Sequence, residues 1–217
     1  MKGTVIARAL LCLAVLTLVG VTALAEDNSK STITINGGRN TVFMGTPSHR
    51  GAVKPCTTGK FYDNICGGSV TNSSGWTISD GSPINTEYTP GNQIIALQSG
   101  TTKKVGVTVG FVTGTNGAIV VLDSDCNNRP CGFSTHLHLC RGVINNLFTF
   151  GNQYTVETFN CAAKLTKGTA YWVYVQSDAN SWLAWNLSSA TGGFIEGTND
   201  AWGTYSSGQP VGGLAIY

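Results

Sequence analysis

Asp123-Ser124-Asp125-Cys126-Asn127 places oxygen-bearing side chains at alternate positions, which is how a calcium cage begins. The continuation departs from the EF-hand pattern, with Asn128 where that loop needs glycine and Ser134 where it needs glutamate. Asp and Asn also build local side-chain turns, Pro130 fixes φ and Gly132 releases it. A hairpin loop is therefore the expectation, and Ca²⁺ held by Asp123, Asp125 and Asn127 is the alternative. His136 and His138 lie two apart, a spacing that on a strand sends both rings to one face, as a metal pair requires. No carboxylate follows between Leu139 and Asn146, so the two histidines are expected on a solvent face with Leu137 and Leu139 turned inward. No other cofactor is indicated.

Trp182, Trp185, Trp202 and Tyr205 fall near or within Gly/Ser/Asn-rich segments of the last third, and exposed ring faces are what sugar rings or protein surfaces stack upon. These four form the expected ligand-binding set. Trp182 and Trp185 are three residues apart, so on a strand they point to opposite faces and at least one belongs to the core. Trp202 sits in a Gly/Asn-rich stretch and is expected to be exposed, whereas Trp172 is expected to be structural. A triad hydrolase needs a nucleophile against a histidine, and no Gly-x-Ser-x-Gly elbow occurs. A jelly-roll glycosidase needs two carboxylates over one groove. Glu87, Glu157, Glu196, Asp178 and Asp200 are the acids on offer, but no spacing singles out a pair, and no catalytic residue is assigned.

The elements that would position these residues read as strands. Val105 to Val112 alternates, with Val105, Val107, Val109 and Phe111 on one side of a pleat. Ala118 to Leu122, Thr135 to Leu139, Tyr154 to Phe159, Ala170 to Gln176, Trp182 to Leu187 and Leu214 to Tyr217 are further short runs rich in β-branched and aromatic residues. Nothing after the leader sustains a helical period over three turns. The expected fold is all-β, a two-sheet sandwich or jelly roll with little helix apart from a signal peptide. Residues 60–217 are assigned to that domain, and 26–59 to a poorly structured arm in which only Thr32 to Ile35 and Thr41 to Met44 look strand-like.

Residues 1–25 read as the signal peptide: Lys2 and Arg8 precede an apolar run from Ala9 to Val21, and Ala23-Leu24-Ala25 is a small-x-small cleavage pattern. The run is too short to span a bilayer comfortably, so the chain is expected in the periplasm or outside the cell with no membrane span. Removing Lys2 and Arg8 takes 13 basic residues to 11, against 11 acidic ones. A neutral chain argues against a phosphate-backbone binder, and no nucleic-acid partner is expected. Cys12 lies in the leader. Cys56, Cys66, Cys126, Cys131, Cys140 and Cys161 then form an even set in an exported chain, read as three disulfides. Several pairings are open; the expectation is nearest-neighbour pairing, Cys56 with Cys66, Cys126 with Cys131 and Cys140 with Cys161. Zinc is disfavoured because no C-x2-C pair occurs.

The succession Tyr62-Asp63-Asn64, Ser73-Ser74-Gly75-Trp76, Glu87 to Gln93 and Val109 to Asn116, followed by Asp123 to Gly132, Leu165 to Val173 and Trp185-Asn186, resembles the bacterial secreted choice-of-anchor domains often found with PEP-CTERM sorting tails. The likeness spans roughly residues 60–217 and implies a β-sandwich at the cell envelope, with no activity to carry over. Two departures are the six cysteines and a sequence that stops at Tyr217 without a sorting tail. The combined expectation is a secreted, non-catalytic β-sandwich that binds carbohydrate or a surface polymer. The first alternative is a structural or adhesive matrix component of undetermined oligomeric state, and the second a glycoside hydrolase-like enzyme.

Overall fold

The computed structural model describes residues 33–35, 41–44, 59–66, 70–82, 84–132, 137–152, 154–198 and 201–217. The strands in chain order are β1 Ile33–Ile35, β2 Thr41–Met44, β3 Tyr62–Asp63, β4 Val70–Asp80, β5 Glu87–Ile95 and β6 Gly100–Thr101. There follow β7 Lys104–Val107, β8 Val109–Gly114, β9 Gly117–Ser124, β10 Cys140–Asn145 and β11 Glu157–Asn160. The last are β12 Lys164–Leu165, β13 Ala170–Ser177, β14 Ser181–Gly197, β15 Ser206–Gly212 and β16 Leu214–Ile216. The all-β expectation holds: the fold is antiparallel sheets consistent with a sandwich, one of them strongly curled. No helix among the described residues is long and apolar enough to cross a membrane.

The large sheet runs β1-β2-β4-β14-β5-β13-β9-β10, with β8 and β15 also paired to β14; the small one runs β11-β7-β16-β3. Period-two alternation decides what lies between them. On β13 the residues Tyr171, Val173 and Val175 face the main core; Val173 lies opposite Leu122 and Val175 opposite Val120 on β9. From the small sheet Val105, Val107, Leu214 and Ile216 complete the same cluster, all fully buried. Each such side chain contributes about 1.5 to 3 kcal/mol of apolar burial.

The alternation of Val105, Val107 and Val109 is correctly inward, yet the run is two strands. Thr108 is the corner: its amide donates to Gly213 O (3.0 Å) and its carbonyl accepts from Asn186 N (2.8 Å), so β7 joins the small sheet and β8 the large one. β14, 17 residues long, is a second corner. Its first half pairs with β4 and β8 and its second with β5, with register irregularities between Asn186 and Phe194 that bend it. That bend curls the sheet.

Two expected disulfides are present. Cys140–Cys161 (Cα–Cα 5.7 Å) ties edge strand β10 of the large sheet to the end of β11 in the small one, and Cys126–Cys131 (5.0 Å) closes the loop after β9. Cys66 is also disulfide-bonded, and Cys56, its expected partner, lies outside the described residues. Two intact disulfides suit an oxidising, extracellular-type compartment. The strands foreseen near residues 33–44 do form, and β2 pairs with β4 through Thr41↔Trp76, Val42↔Gly75 and Phe43↔Ser74. The sheet thus begins before residue 60, and the compact unit spans Thr32–Tyr217.

Candidate functional site

The outer face of β13 carries Trp172 and Tyr174, and a strap formed by residues 201–205, ahead of β15, lies over them. Trp202 meets Tyr174 edge-on (centroids 5.2 Å apart) and Tyr205 meets Trp172 likewise (6.2 Å). The strap can lie this close because β14 presents glycines beneath it: a Cβ on Gly197 would sit 2.6 Å from the Trp202 ring, and one on Gly193 2.9 Å from the Tyr205 ring. Backbone bonds pin it as well, Thr198 N to Ala201 O (2.9 Å) and Gly203 N to Glu196 O (2.7 Å).

Beside the strap opens a groove of about 680 Å³. Beneath it lie Trp76 and Phe194, buried members of the main core stacked 4.1 Å apart and 21° from parallel, with the indole held by Trp76 Nε1 donating to Pro210 O (2.9 Å). Tyr88 and Trp202, both half-buried, form its walls, and Glu87 and Glu196 bring two carboxyl groups to it. β5 delivers Glu87 and Tyr88, β4 delivers Trp76, and the second half of β14 delivers Phe194 and Glu196. The groove therefore exists because β14 bends from one set of partners to another.

Behind the strap is a polar network. Asp125 Oδ1 accepts from Trp172 Nε1 (2.6 Å) and from Gln93 Nε2 (3.0 Å), its Oδ2 accepts from Asn128 N (3.3 Å), and Tyr205 Oη donates to Gln93 Oε1 (3.2 Å). Asp123 is buried; Oδ1 accepts from Ser124 N (2.8 Å) and Oδ2 from Gly132 N (2.7 Å). His138 Nδ1 lies 3.4 Å from Asp123 Oδ2 and 3.3 Å from Tyr174 Oη. Burial, with the Asp123 carboxylate nearby, pushes the Tyr174 phenol well above its ordinary range, against the opposing pull of Arg141.

The expected site residues divide accordingly. Asp123 lies at the end of strand β9 and Asp125 and Asn127 lie on the loop after it, but both carboxylates accept hydrogen bonds from the protein, and Asn127 and Asn128 take left-handed φ of 57° and 61°, as a turn needs. Among the described residues no three His, Cys, Asp or Glu side chains are grouped to hold a metal. The histidine expectation is overturned in part: residues 137–139 form no strand, Leu137 is 80% exposed and His138 is tucked in against Tyr174 and Asp123, while Leu139 packs against the main core as expected. His136 and Asp200 lie outside the described residues.

Trp202 lines the groove and Tyr205 anchors the strap beside it. Trp202 is half-buried, not exposed as its glycine-rich setting suggests, because its ring packs on Tyr174 and over Gly197. Trp185 is fully buried with Nε1 donating to Gly213 O (3.0 Å), so it offers no ring face to a ligand and belongs to the core. Trp182 points the other way, into a small cluster with Phe150 and Ala184. Trp76, Tyr88 and Phe194 were not among the candidates. Alternation around the glycines of 192–197 marks Phe194 and Glu196 as sharing a face, but only the register of β14 against β4 and β5 brings Trp76 and Tyr88 to them.

No family model, curated protein or solved structure matches the chain.

Proposed function

We propose that this protein is a secreted, non-catalytic module of the bacterial envelope, akin to the choice-of-anchor domains it resembles, that holds a carbohydrate chain or similar surface polymer in the groove beside the strap. The observation carrying this reading is the open groove lined by the half-buried rings of Tyr88 and Trp202. Rings supply apolar contact to the faces of sugar units, while carboxylates and hydroxyls around them accept and donate hydrogen bonds to sugar hydroxyls. Glycines on β14 let the described strap residues sit close to the sheet, and the Gly203 N to Glu196 O bond ties them to it, which supports a wall that needs little ordering on binding.

A glycan array followed by affinity electrophoresis tests it. Wild type is expected to be retarded by at least one polysaccharide, with Tyr88→Ala and Trp202→Ala each weakening retention about 3- to 10-fold and Trp182→Ala leaving it unchanged. A folded protein that retains no polysaccharide would sink this reading, and concentration-dependent sedimentation would then test the matrix alternative. The hydrolase alternative has one observation behind it, that Glu87 and Glu196 line the same groove. New reducing ends from a retained polymer, lost in Glu196→Gln while retention persists, would establish it.

A further inference from the structure

We infer that strand β10 is a self-pairing edge, through which two copies of this chain join antiparallel about a two-fold axis at Val143. This goes beyond the binding reading and uses none of the residues that line the groove. β10 is the last strand of the large sheet, and among the described residues only β9 pairs with it. β9 shares its backbone groups alternately between its two neighbours. Gly117 O accepts from Asp178 N just past β13 (3.2 Å), whereas Asn116 O, one residue away, accepts from Asn146 N just past β10 (3.2 Å). Continued along the register from Asn145↔Gly117 to Cys140↔Leu122, that alternation turns the N–H and C=O groups of Cys140, Gly142 and Ile144 toward β9. Those of Arg141, Val143 and Asn145 turn away from it. The side chains of Arg141, Val143 and Asn145 are exposed as well, Val143 at 53%. Natural edges are commonly blunted by lysine, proline or a bulge, and β10 has none of these.

Parity and side-chain chemistry fix the register. An axis at Val143 sets Val143 against its own copy and Arg141 against Asn145 at both ends, all of them positions whose backbone groups point outward, so each opposed pair exchanges both its N–H···O bonds. Axes at Gly142 or Ile144 keep fewer such pairs within the strand. In the Val143 register the one charged residue of β10, Arg141, meets an amide oxygen that its guanidinium can donate to, and no like charges oppose each other. The edge is also held in place. Cys140–Cys161 ties β10 to the end of β11, and the Phe159 ring fills the space beside Gly142, where a Cβ would lie 2.2 Å from it. An incoming strand therefore meets a fixed template, and little ordering opposes pairing. The contact is short, which puts it at the weak end of specific interfaces. It also consumes the edge on both copies, so association stops at two.

The test is sedimentation of the intact protein from about 5 µM to about 1 mM, where a monomer–dimer equilibrium with Kd on the order of 100 µM is expected. Amide hydrogen exchange at the two ends of that range reads the register. Arg141, Val143 and Asn145 should exchange about 5-fold more slowly at the high concentration, while Gly142 and Ile144, already bonded to β9, should not change. Val143→Pro removes an outward N–H without removing a bond to β9, and should weaken the dimer at least about 10-fold. Val143→Lys opposes two ammonium groups across the axis and should weaken it as much; circular dichroism reports folding, and this variant decides if the proline variant misfolds. A protein that stays monomeric throughout the range overturns the inference. So does a dimer that Val143→Lys leaves intact, or one whose added protection falls on other amides, because it forms through another surface. Growth beyond the dimer overturns it too, since a closed two-fold contact leaves no edge free. None of these outcomes bears on the groove, whose reading is tested by polysaccharide retention.

Discussion

The two faces of β13 are both buried, but by different physics. Inward, Tyr171, Val173 and Val175 pack with Val120, Leu122 and the valines of β7, contacts that are non-directional and add up by area. Outward, Trp172 and Tyr174 are covered by one strap and one disulfide-closed loop, through edge-on rings and a few directed hydrogen bonds. The inner face gives the domain its stability; the outer face sets the position of the groove wall. Substitutions inside should therefore lower the melting temperature whatever else they do. Substitutions outside should loosen the groove at smaller cost to the fold.

The largest effect is expected inside. Trp185 is fully buried, stands opposite Trp76 across β14 and β4, and donates to Gly213 O. Trp185→Ala should cost about 3 to 5 kcal/mol, a drop of roughly 6 to 20 °C in Tm for a domain this size, read by thermal denaturation. A loss under about 1 kcal/mol would mean that the inner face is not the principal core.

Asp125 is the matching position outside. Asp125→Ala removes the acceptor shared by the Trp172 indole and the Gln93 amide, leaving a buried N–H without its partner, and should cost about 1 to 3 kcal/mol. Asp125→Asn keeps an acceptor oxygen and should recover most of that. Because Gln93 also holds Tyr205, polysaccharide retention should fall in Asp125→Ala more than the change in Tm accounts for. Equal retention in the two variants would separate the network from the groove wall.

How much of this was legible follows the same division. The inward valines of 105–109 and two of the disulfides could be read because each rests on local alternation or on cysteine count in a chain read as exported, whereas on β13 alternation showed two stripes without saying which faces the core. The groove and the outer layer could not. Trp76 and Phe194, both members of the main core, lie 118 positions apart in sequence and meet only through strand register, which no local pattern encodes. Trp202 reads as exposed because its neighbours are glycine, threonine and asparagine, yet a glycine on the facing strand is what lets its ring settle onto the sheet. Leu137 and His138 exchange their expected places because the segment leaves the strand conformation, and Asp123 and Tyr174 supply polar partners for the imidazole.

Alkaline pH offers a milder probe of both layers. Burial pushes the phenol of Tyr62, packed against the core, up to about 12, and raises that of Tyr174 on the outer face as well. A folded pKa above the unfolded value means that the native state holds the proton more tightly. The corresponding stability is complete below pH ~10 and is lost as pH rises toward the folded values, with a slope of at most about 1.4 kcal/mol per pH unit per tyrosine. Denaturation at pH 9, 10 and 11 should show this decline, and Tyr62→Phe should flatten it. An unchanged slope in that variant would assign the decline to other groups.

Calcium should give the smallest effect, and it bears on the loop that closes the outer layer. A cation there would need carboxylate oxygens turned toward it. Both Asp125 oxygens accept hydrogen bonds, from Trp172, Gln93 and Asn128, and both Asp123 oxygens accept from backbone amides. An ion would have to displace those donors, and would then unfasten the network that positions Tyr205. Melting curves in millimolar calcium and in chelator should therefore coincide to within about 1 °C, since a ligand that binds only the native state raises Tm in proportion to RT ln(1 + [L]/Kd). A clear calcium-dependent rise, abolished in Asp125→Asn, would show that the loop exchanges its internal hydrogen bonds for an ion. The outer layer would then be a switchable cover over β13 in place of a fixed one.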